Sequence, residues 1–319
     1  MIPFYRPPKL SDDQIEWIQK RIEKCLRSGQ ITNGENVREF EERVKELHKV
    51  EHVIACSSCT QGLWIVLEAL KPETLMVQSF TWQSVKYILP LRPVTFCDID
   101  KETWLMNPRV RTYWDFLPKA VIYTHTFGNM GVATVETEDQ KVIYDGAYSL
   151  GADLPDIGDA TVLSTTATKT ITSCEGGLIL TNNTELAKEM VKIRGACSRM
   201  SELNAIVGLA SLEMLNYILA RKKEVFIYYI SQLPFKPQKI SRWGTTYGYY
   251  ACLVPERFGS RDEIVKKLEG RIETRIRYEP LKSGLPATDD LAKQVLCIPL
   301  YPDVDEREVV NIIKGEFKA

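Results

Sequence analysis

The chain has 319 residues, of which 44% are hydrophobic and 26% are charged, a composition typical of folded globular proteins and not of disordered, collagen-like or coiled-coil ones. The 41 Lys and Arg residues balance 42 acidic ones, and the net charge of -1 gives no positive field to attract nucleic acid or an anionic membrane. This length favours two domains, and the best apolar stretch, 205–220, contains Glu213 and Asn216, so no membrane span is predicted.

The first elements in the chain are predicted to be two helices and a strand–helix unit. Residues 11–28 have helical periodicity with Ser11 as the N-cap, and residues 37–48 form a second amphipathic helix. A short strand at 52–55 leads into a helix at 61–70. The N-terminus has charges and prolines where a secretion signal needs an apolar core, so we expect a cytoplasmic protein. The eight cysteines are then expected to be reduced thiols, and the three scattered histidines predict no metal site.

The middle of the chain contains short apolar runs without polar alternation, at 75–78, 94–98, 120–124 and 142–145. Such runs are typical of strands covered on both faces, which predicts an α/β fold with a mostly parallel sheet. Two more runs, 160–164 and 178–181, flank a segment rich in Thr, Ser and Gly that resembles a hairpin.

The last third of the chain changes character. Residues 201 to about 233 are predicted to form one long helix, after which the sequence is richer in aromatic residues. Residues 242–254 are strand-like and 272–278 alternate, while 261–268 and 306–317 are helical. We therefore predict a large domain at 1–215 and a smaller α+β domain at 216–319.

A small polar loop, 56–63, connects the first predicted strand to its helix. Free backbone N–H groups at a helix start, with the hydroxyls of Ser58 and Thr60 beside them, suit a phosphate group. The alternative is a plain helix cap formed by Ser58 or Thr60. The Cys56-x-x-Cys59 spacing would also allow a redox pair, although such pairs are typical of a much smaller fold.

Three further residues have side chains suited to chemistry. Asp145 ends a predicted strand, where open α/β sheets bind ligands, or it caps the following segment. Lys169 lies among small hydroxylated residues; if partly buried it is a nucleophile toward aldehydes, and otherwise it is a surface lysine. Trp82 follows a strand and could stack on a planar cofactor or belong to the core. A phosphate loop, a stacking aromatic, a ring-facing carboxylate and an imine-forming lysine are together what pyridoxal 5'-phosphate (PLP) requires.

Several separated motifs, in order, resemble the DegT/StrS-type PLP-dependent sugar-nucleotide aminotransferases, a branch of fold type I. They are Thr32-Asn33-Gly34, Ser58-Cys59-Thr60, Ser79-Phe80-Thr81-Trp82, Cys97-Asp98-Ile99-Asp100, Asp145-Gly146-Ala147, Arg199-Met200-Ser201-Glu202 and Tyr278-x-Pro280-Leu281. The most specific segment runs from Gly158-Asp159 through Ser164 and Lys169 to Glu175-Gly176-Gly177. Lysine at 169, where a deoxygenating branch of the family has histidine, favours amination.

The resemblance implies a role for each matching residue. Lys169 would hold PLP as a Schiff base and act as general base, and Asp145 would pair with the pyridine nitrogen. The other implied cofactor contacts are Ser58, Cys59, Thr60, Trp82, Tyr148 and Ser164, and the implied substrate contacts are Thr32, Asn33 and Tyr278. The implied enzyme is a homodimer with its active site at the subunit interface. It would pass an amino group from L-glutamate or L-glutamine to a keto group on a nucleotide-linked sugar.

Three departures from the family pattern leave alternatives open. Tyr148 stands where Gln or His is usual, the loop at 195–198 is short, and Lys282 follows the Tyr278 motif in place of a histidine. The alternatives are a PLP-dependent aminotransferase or lyase acting on a non-sugar ketone or modified nucleoside, and a PLP-binding protein without turnover. A cysteine-based hydrolase or redox protein is a fourth hypothesis.

Overall fold

The computed structural model describes residues 1–89, 92–112 and 117–317. The chain starts with helices α1 (Asp12–Ser28) and α2 (Glu35–His48). The predicted N-cap of α1 is confirmed: the Ser11 hydroxyl accepts a hydrogen bond from the Gln14 N–H, and the Gln14 side chain accepts one from the Ser11 N–H.

The second helix is capped by a residue from far along the chain. Gly34 at the N-cap offers no side chain, and the buried Glu202 carboxylate accepts hydrogen bonds from the N–H groups of Gly34, Asn36 and Val37 at 2.6 to 3.2 Å. A carboxylate at a helix N-terminus also interacts favourably with the helix dipole. This long-range cap explains why α2 begins two residues before the predicted start.

Eight strands of the described chain form the main sheet. They are β1 (His52–Cys56), β2 (Leu75–Gln78), β3 (Val94–Ile99), β4 (Met106–Arg111), β5 (Ala120–Thr124), β6 (Lys141–Asp145), β7 (Ala160–Ser164) and β8 (Gly177–Thr181). The order is β1-β8-β7-β6-β5-β2-β3-β4, and the five strands from β7 to β3 are parallel. The predicted mostly parallel α/β sheet is confirmed. The edge strand β4 was not predicted, because it is largely exposed and contains a proline in place of an apolar run.

Helices cover both faces of this sheet. Helix α3 (Cys59–Leu70) and helix α4 (Thr184–Cys197) pack with Ile54 on one face, whereas Val53 and Ala55 point to the other face with α2. Adjacent residues of β1 therefore enter different cores, which is why its sequence shows no polar alternation.

The predicted long helix at 201–233 is wrong in one respect, because it is two helices. Helix α5 (Glu202–Leu212) and helix α6 (Leu215–Gln232) meet at 59°. Both are rich in apolar residues, so the pattern continues through the bend. Among the described residues no single helix has the length and apolarity to cross a membrane; only this bent pair, taken together, meets those two criteria. The predicted short loop at 195–198 is also wrong: it is the last turn of α4 with its C-cap Ser198.

A second, smaller sheet lies in the last third of the chain. Its strands are β9 (Lys236–Pro237), β10 (Tyr250–Leu253) and β11 (Val295–Ile298), all antiparallel, and its helices are α7 (Arg261–Leu268), α8 (Pro286–Gln294) and α9 (Glu306–Glu316). The strand-like stretch at 242–254 is thus a strand only at its end. Residues 272–278 pair only through single bridges at Ile272 and Arg275.

Helix α6 belongs to two hydrophobic cores. Leu215 and Ile218 pack in the core beside the large sheet, whereas Val225, Phe226 and Tyr229 pack in the core of the smaller sheet. The division between residues 215 and 216 stays a prediction, and α6 connects the two cores.

Candidate active site

The carboxyl ends of β5, β6 and β7 open onto a cleft of about 240 Å³, with Thr124, Asp145 and Ser164 at the strand ends. Parallel strands bring their terminal side chains together at one edge of a sheet, which is where α/β folds bind ligands. Nine of the eleven predicted site residues line this cleft. They are Ser58, Cys59, Thr60, Trp82, Asp145, Tyr148, Ser164, Lys169 and Tyr278.

The polar loop at one end of the cleft forms the start of α3. Ser58 is the N-cap, and its hydroxyl accepts a hydrogen bond from the Gln61 N–H at 3.2 Å, so the helix-cap interpretation is correct. The N–H groups of Cys59 and Thr60 in the first turn have no carbonyl to bond within the helix and remain available to an anion. A Cβ on Gly177 would lie 2.5 Å from the Ser58 carbonyl group, so only glycine lets β8 pass this close to the loop.

The cysteines of this loop are unsuited to redox chemistry. Cys56 and Cys59 are both buried, and burial raises the pKa of the Cys56 thiol to about 12. Burial also raises the pKa of Cys59 well above its usual range, an effect that the nearby Asp145 carboxylate increases. Reactive cysteines need lowered pKa values and access, so the cysteine-based hypothesis is disfavoured.

Asp145 is a buried carboxylate at the end of β6. Its Oδ1 accepts hydrogen bonds from the Ala147 N–H at 3.2 Å and the Cys59 thiol at 3.8 Å, and the described residues give Oδ2 no partner. Burial raises the Asp145 pKa, while the Lys169 charge opposes that rise. A buried carboxylate with one unbonded oxygen favours a ligand that brings a cationic N–H group.

The amine of Lys169 lies 3.4 Å from the centre of the Tyr148 ring and donates no hydrogen bond within the described chain. Burial lowers the pKa of Lys169, and the neighbouring Tyr249 opposes this effect. A lowered pKa increases the fraction of neutral, nucleophilic amine. The hydroxyl-rich residues around it form the predicted hairpin turn, which Thr165 and Ser173 close through hydroxyls 2.6 Å apart.

Aromatic rings form the other wall of the cleft. Trp82 is 47% exposed and contacts the edge of the Tyr278 ring, with centroids 6.1 Å apart. Tyr148 donates a hydrogen bond to the hydroxyl of Tyr249, and burial raises the pKa of both phenols. Tyr148 therefore supports Lys169 with its ring while its hydroxyl is engaged by Tyr249.

Tyr249 and Arg277 are two of the ten lining residues that were not predicted as site residues. Arg277 directly precedes the predicted Tyr278, and Tyr249 lies in the aromatic segment at 242–254. These local signals were present, but neither indicates a cleft without the tertiary structure.

Thr32 and Asn33 lie outside the cleft of their own chain. Thr32 forms a backbone bridge with Ser201, and the Asn33 side-chain oxygen accepts a hydrogen bond from Arg194 at 2.6 Å. Their predicted contact with substrate stays a prediction.

A second lysine, Lys222 of α6, is buried beside Lys169, and both line a small cavity next to the cleft. Its amine donates one long hydrogen bond, 3.4 Å, to the Gly248 carbonyl. Burial lowers the Lys222 pKa to about 7, with the Lys169 charge adding to the effect.

We expect Lys222→Met to stabilise the protein below about pH 7. The unfolded chain keeps this lysine protonated up to about pH 10.5, whereas the folded chain releases the proton near pH 7. The unfolded state thus binds more protons between these values, so wild-type stability rises with pH across that range. The free-energy cost of burying the charged amine is fully present at low pH, on the order of 5 kcal/mol. Urea unfolding of wild type and Lys222→Met at about pH 6 and about pH 9 measures this cost. If the stability of the two proteins changed equally between these pH values, the prediction would be contradicted.

The groups left available in the cleft match the predicted cofactor. The free N–H groups at the start of α3 fit its phosphate, the unbonded Oδ2 of Asp145 fits its protonated ring nitrogen, and the unengaged amine of Lys169 fits its aldehyde. The residues present therefore fit PLP.

Comparison with known proteins agrees with this fit. A sequence profile described as the DegT/DnrJ/EryC1/StrS aminotransferase family matches residues 12–315. A structure of DesI with its TDP-sugar product is 25% identical, with a TM-score of 0.86 over 97% of this chain and 91% of that chain. An aminotransferase of the same family from Brucella abortus is 22% identical (TM-score 0.82, 96% of each chain). NtdA from Bacillus subtilis with the bound cofactor PMP is 22% identical (TM-score 0.84, 97% of this chain and 83% of that chain). Since the profile spans nearly the whole chain, this protein belongs to the DegT/DnrJ/EryC1/StrS aminotransferase family, whose members use PLP on a fold type I scaffold.

Proposed function

We propose that this enzyme transfers an amino group from L-glutamate or L-glutamine to the keto group of a nucleotide-linked sugar. The proposal rests on one observation, which is that three available groups line the same cleft. They are the Lys169 amine, which donates no hydrogen bond within the described chain, the Asp145 carboxylate, whose Oδ2 has no partner there, and the free N–H groups at the start of α3. A two-stage amino transfer needs all three, because the cofactor must be held, kept protonated and attacked.

When bound, PLP supplies an aldehyde that combines with amines and a ring that stabilises negative charge on the neighbouring carbon. Asp145 would keep the ring nitrogen protonated, which makes that stabilisation effective. Lys169 would attach the cofactor and, once the donor's amine has displaced its own, would move the proton between the substrate carbon and the cofactor carbon. The lowered pKa of Lys169 suits both roles, since each needs the neutral amine.

The nucleotide-sugar assignment is supported by the open, aromatic side of the cleft. Trp82, which is 47% exposed and lies against the buried Tyr278, offers an apolar ring face with a polar edge, which suits the C–H face of a sugar. DesI, whose structure has a TM-score of 0.86 to this chain, was solved with a TDP-sugar product.

The homodimer would explain the position of two predicted substrate contacts. Because Thr32 and Asn33 lie outside their own cleft, they could contact substrate only in the cleft of a second copy. We therefore keep the proposal of a dimer with its active sites at the interface.

Spectroscopy followed by product analysis tests this function. We expect the purified protein with PLP to show an absorbance band that shifts when L-glutamate or L-glutamine is added. The shifted enzyme should then aminate a nucleotide-linked keto sugar, detected by mass spectrometry. A band that no amino donor shifts would instead support a binding protein without turnover, and release of ammonia with a dehydrated product would support a lyase.

A further inference from the structure

Arg277 is a cation in the cleft wall for which the described structure provides no acidic partner. It is partly buried, its Nε is fully buried without a hydrogen bond, and its guanidinium lies beside three aromatic rings. Its central carbon lies 5.2 Å from the centre of the Trp82 ring, 5.8 Å from that of Tyr249 and 6.0 Å from that of Phe4. These rings orient the guanidinium without neutralising it.

A cation removed from water is costly unless a negative group compensates it. Contacts with aromatic faces return only about 0.5 to 2 kcal/mol each. Within the described lining the acidic side chains are Asp145, which the cofactor's ring nitrogen would engage, and Glu175, which is exposed. An anionic ligand is therefore the expected partner of Arg277.

The position of Arg277 is fixed by the segment that follows it. The N–H groups of Leu281 and Lys282 donate to the carbonyl and hydroxyl of Ser79, just beyond β2. The Tyr278 ring stacks on Phe127 with centroids 4.8 Å apart. Arg277 is thus anchored to the end of the large sheet, where preorganised charges bind most effectively.

We propose that Arg277 binds the α-carboxylate of the amino-acid donor, an inference that rests on the proposed aminotransferase function. Guanidinium groups bind carboxylates through two parallel hydrogen bonds, a geometry that lysine does not provide. Such a contact would select α-amino acids over simple amines.

The geometry of the amino-acid donor favours its carboxylate, and not a phosphate of the acceptor, as the group that binds Arg277. The reacting nitrogen of the donor must reach the place of the Lys169 amine, and the carboxylate carbon is two bonds away from that nitrogen. Arg277 is close enough to Lys169 that its charge adds to burial in lowering the Lys169 pKa. The phosphates of a nucleotide-linked sugar, in contrast, are separated from a keto carbon by part of the sugar ring.

The test compares Arg277→Met and Arg277→Lys with Arg275→Met in the holoenzyme. Arg275 is two residues away, pairs with Glu273 and does not line the cleft, so it is the matched control. L-glutamate is titrated against the absorbance band of each protein. We expect the apparent Kd for L-glutamate to rise on the order of 100-fold in Arg277→Met and roughly 10-fold in Arg277→Lys. Propylamine, which has no carboxylate, should shift the band equally in all four proteins.

Two further readouts separate the possible failures. Calorimetry with glutarate, which has no amine to react, should show binding to wild type and Arg275→Met and lost binding to Arg277→Met, with or without cofactor. Unchanged glutamate and glutarate binding in Arg277→Met would overturn this inference while leaving the proposed function intact. Weakened binding of a nucleoside diphosphate with unchanged glutamate binding would also overturn it, by assigning Arg277 to the acceptor. A wild-type protein without any cofactor band would reject the proposed function itself.

Discussion

Lys169→Ala is expected to abolish both turnover and covalent attachment of the cofactor. In the described structure the Lys169 amine lies free in the cleft, whereas the neighbouring Lys222 amine is bonded to the Gly248 carbonyl. Loss of the nucleophile and of the proton-transfer group together should lower the rate of amino transfer by at least roughly 10⁴-fold. Borohydride treatment, digestion and mass spectrometry should find cofactor mass on the Lys169 peptide of the wild type and none in the variant.

Lys222→Met is the control for this experiment. It removes the other buried lysine beside the same cavity, so it should keep the label on the Lys169 peptide and retain the absorbance band. Cofactor mass on the Lys222 peptide, or a reduction-stable adduct in Lys169→Ala, would show that the attachment site has been assigned to the wrong lysine.

Asp145→Asn should leave the protein folded and slow the first half of the reaction by roughly 10³-fold. Asparagine has the same shape and can still accept the hydrogen bond from the Ala147 N–H through its oxygen. It has no charge to keep the ring nitrogen protonated, so the stabilisation of negative charge in the transition state should be lost. Stopped-flow absorbance with L-glutamate measures this rate.

Thermal unfolding shows whether Asp145→Asn is slow because its fold is damaged or because the chemistry of the site is impaired. Since Asp145 is buried and its carboxylate is costly to ionise there, Asp145→Asn should unfold no earlier than wild type. Asp153→Asn, which alters an exposed carboxylate, serves as the matched control with unchanged rate. A rate within about 10-fold of wild type in Asp145→Asn would mean that another group protonates the cofactor.

The family and the cofactor apparatus could be predicted because their signals are local. Ser58, Asp145 and Ser164 each lie at the end of an apolar run, and in a parallel sheet such ends meet at one edge. The position of each is set by its own strand and turn, so short motifs were sufficient to predict that they meet. Lys169 is held by a hairpin that closes on itself within a dozen residues, which is equally local.

The bend after α5 and the early start of α2 have one physical origin, which is that the packing partners lie far away in the chain. The bend between α5 and α6 separates two cores, and an apolar pattern reports burial but not which core receives the side chain. Likewise, the start of α2 depends on Glu202, more than 160 residues later.

The sequence by itself determined that the sheet is mostly parallel and which residues suit a phosphate, a ring nitrogen and an aldehyde, because these follow from short-range periodicity and turn chemistry. Only the tertiary structure decided that Tyr249 and Arg277 join that cleft and that Thr32 and Asn33 do not. The reason is that a charge becomes uncompensated, and therefore a candidate for binding substrate, only once every neighbouring side chain has its place in space.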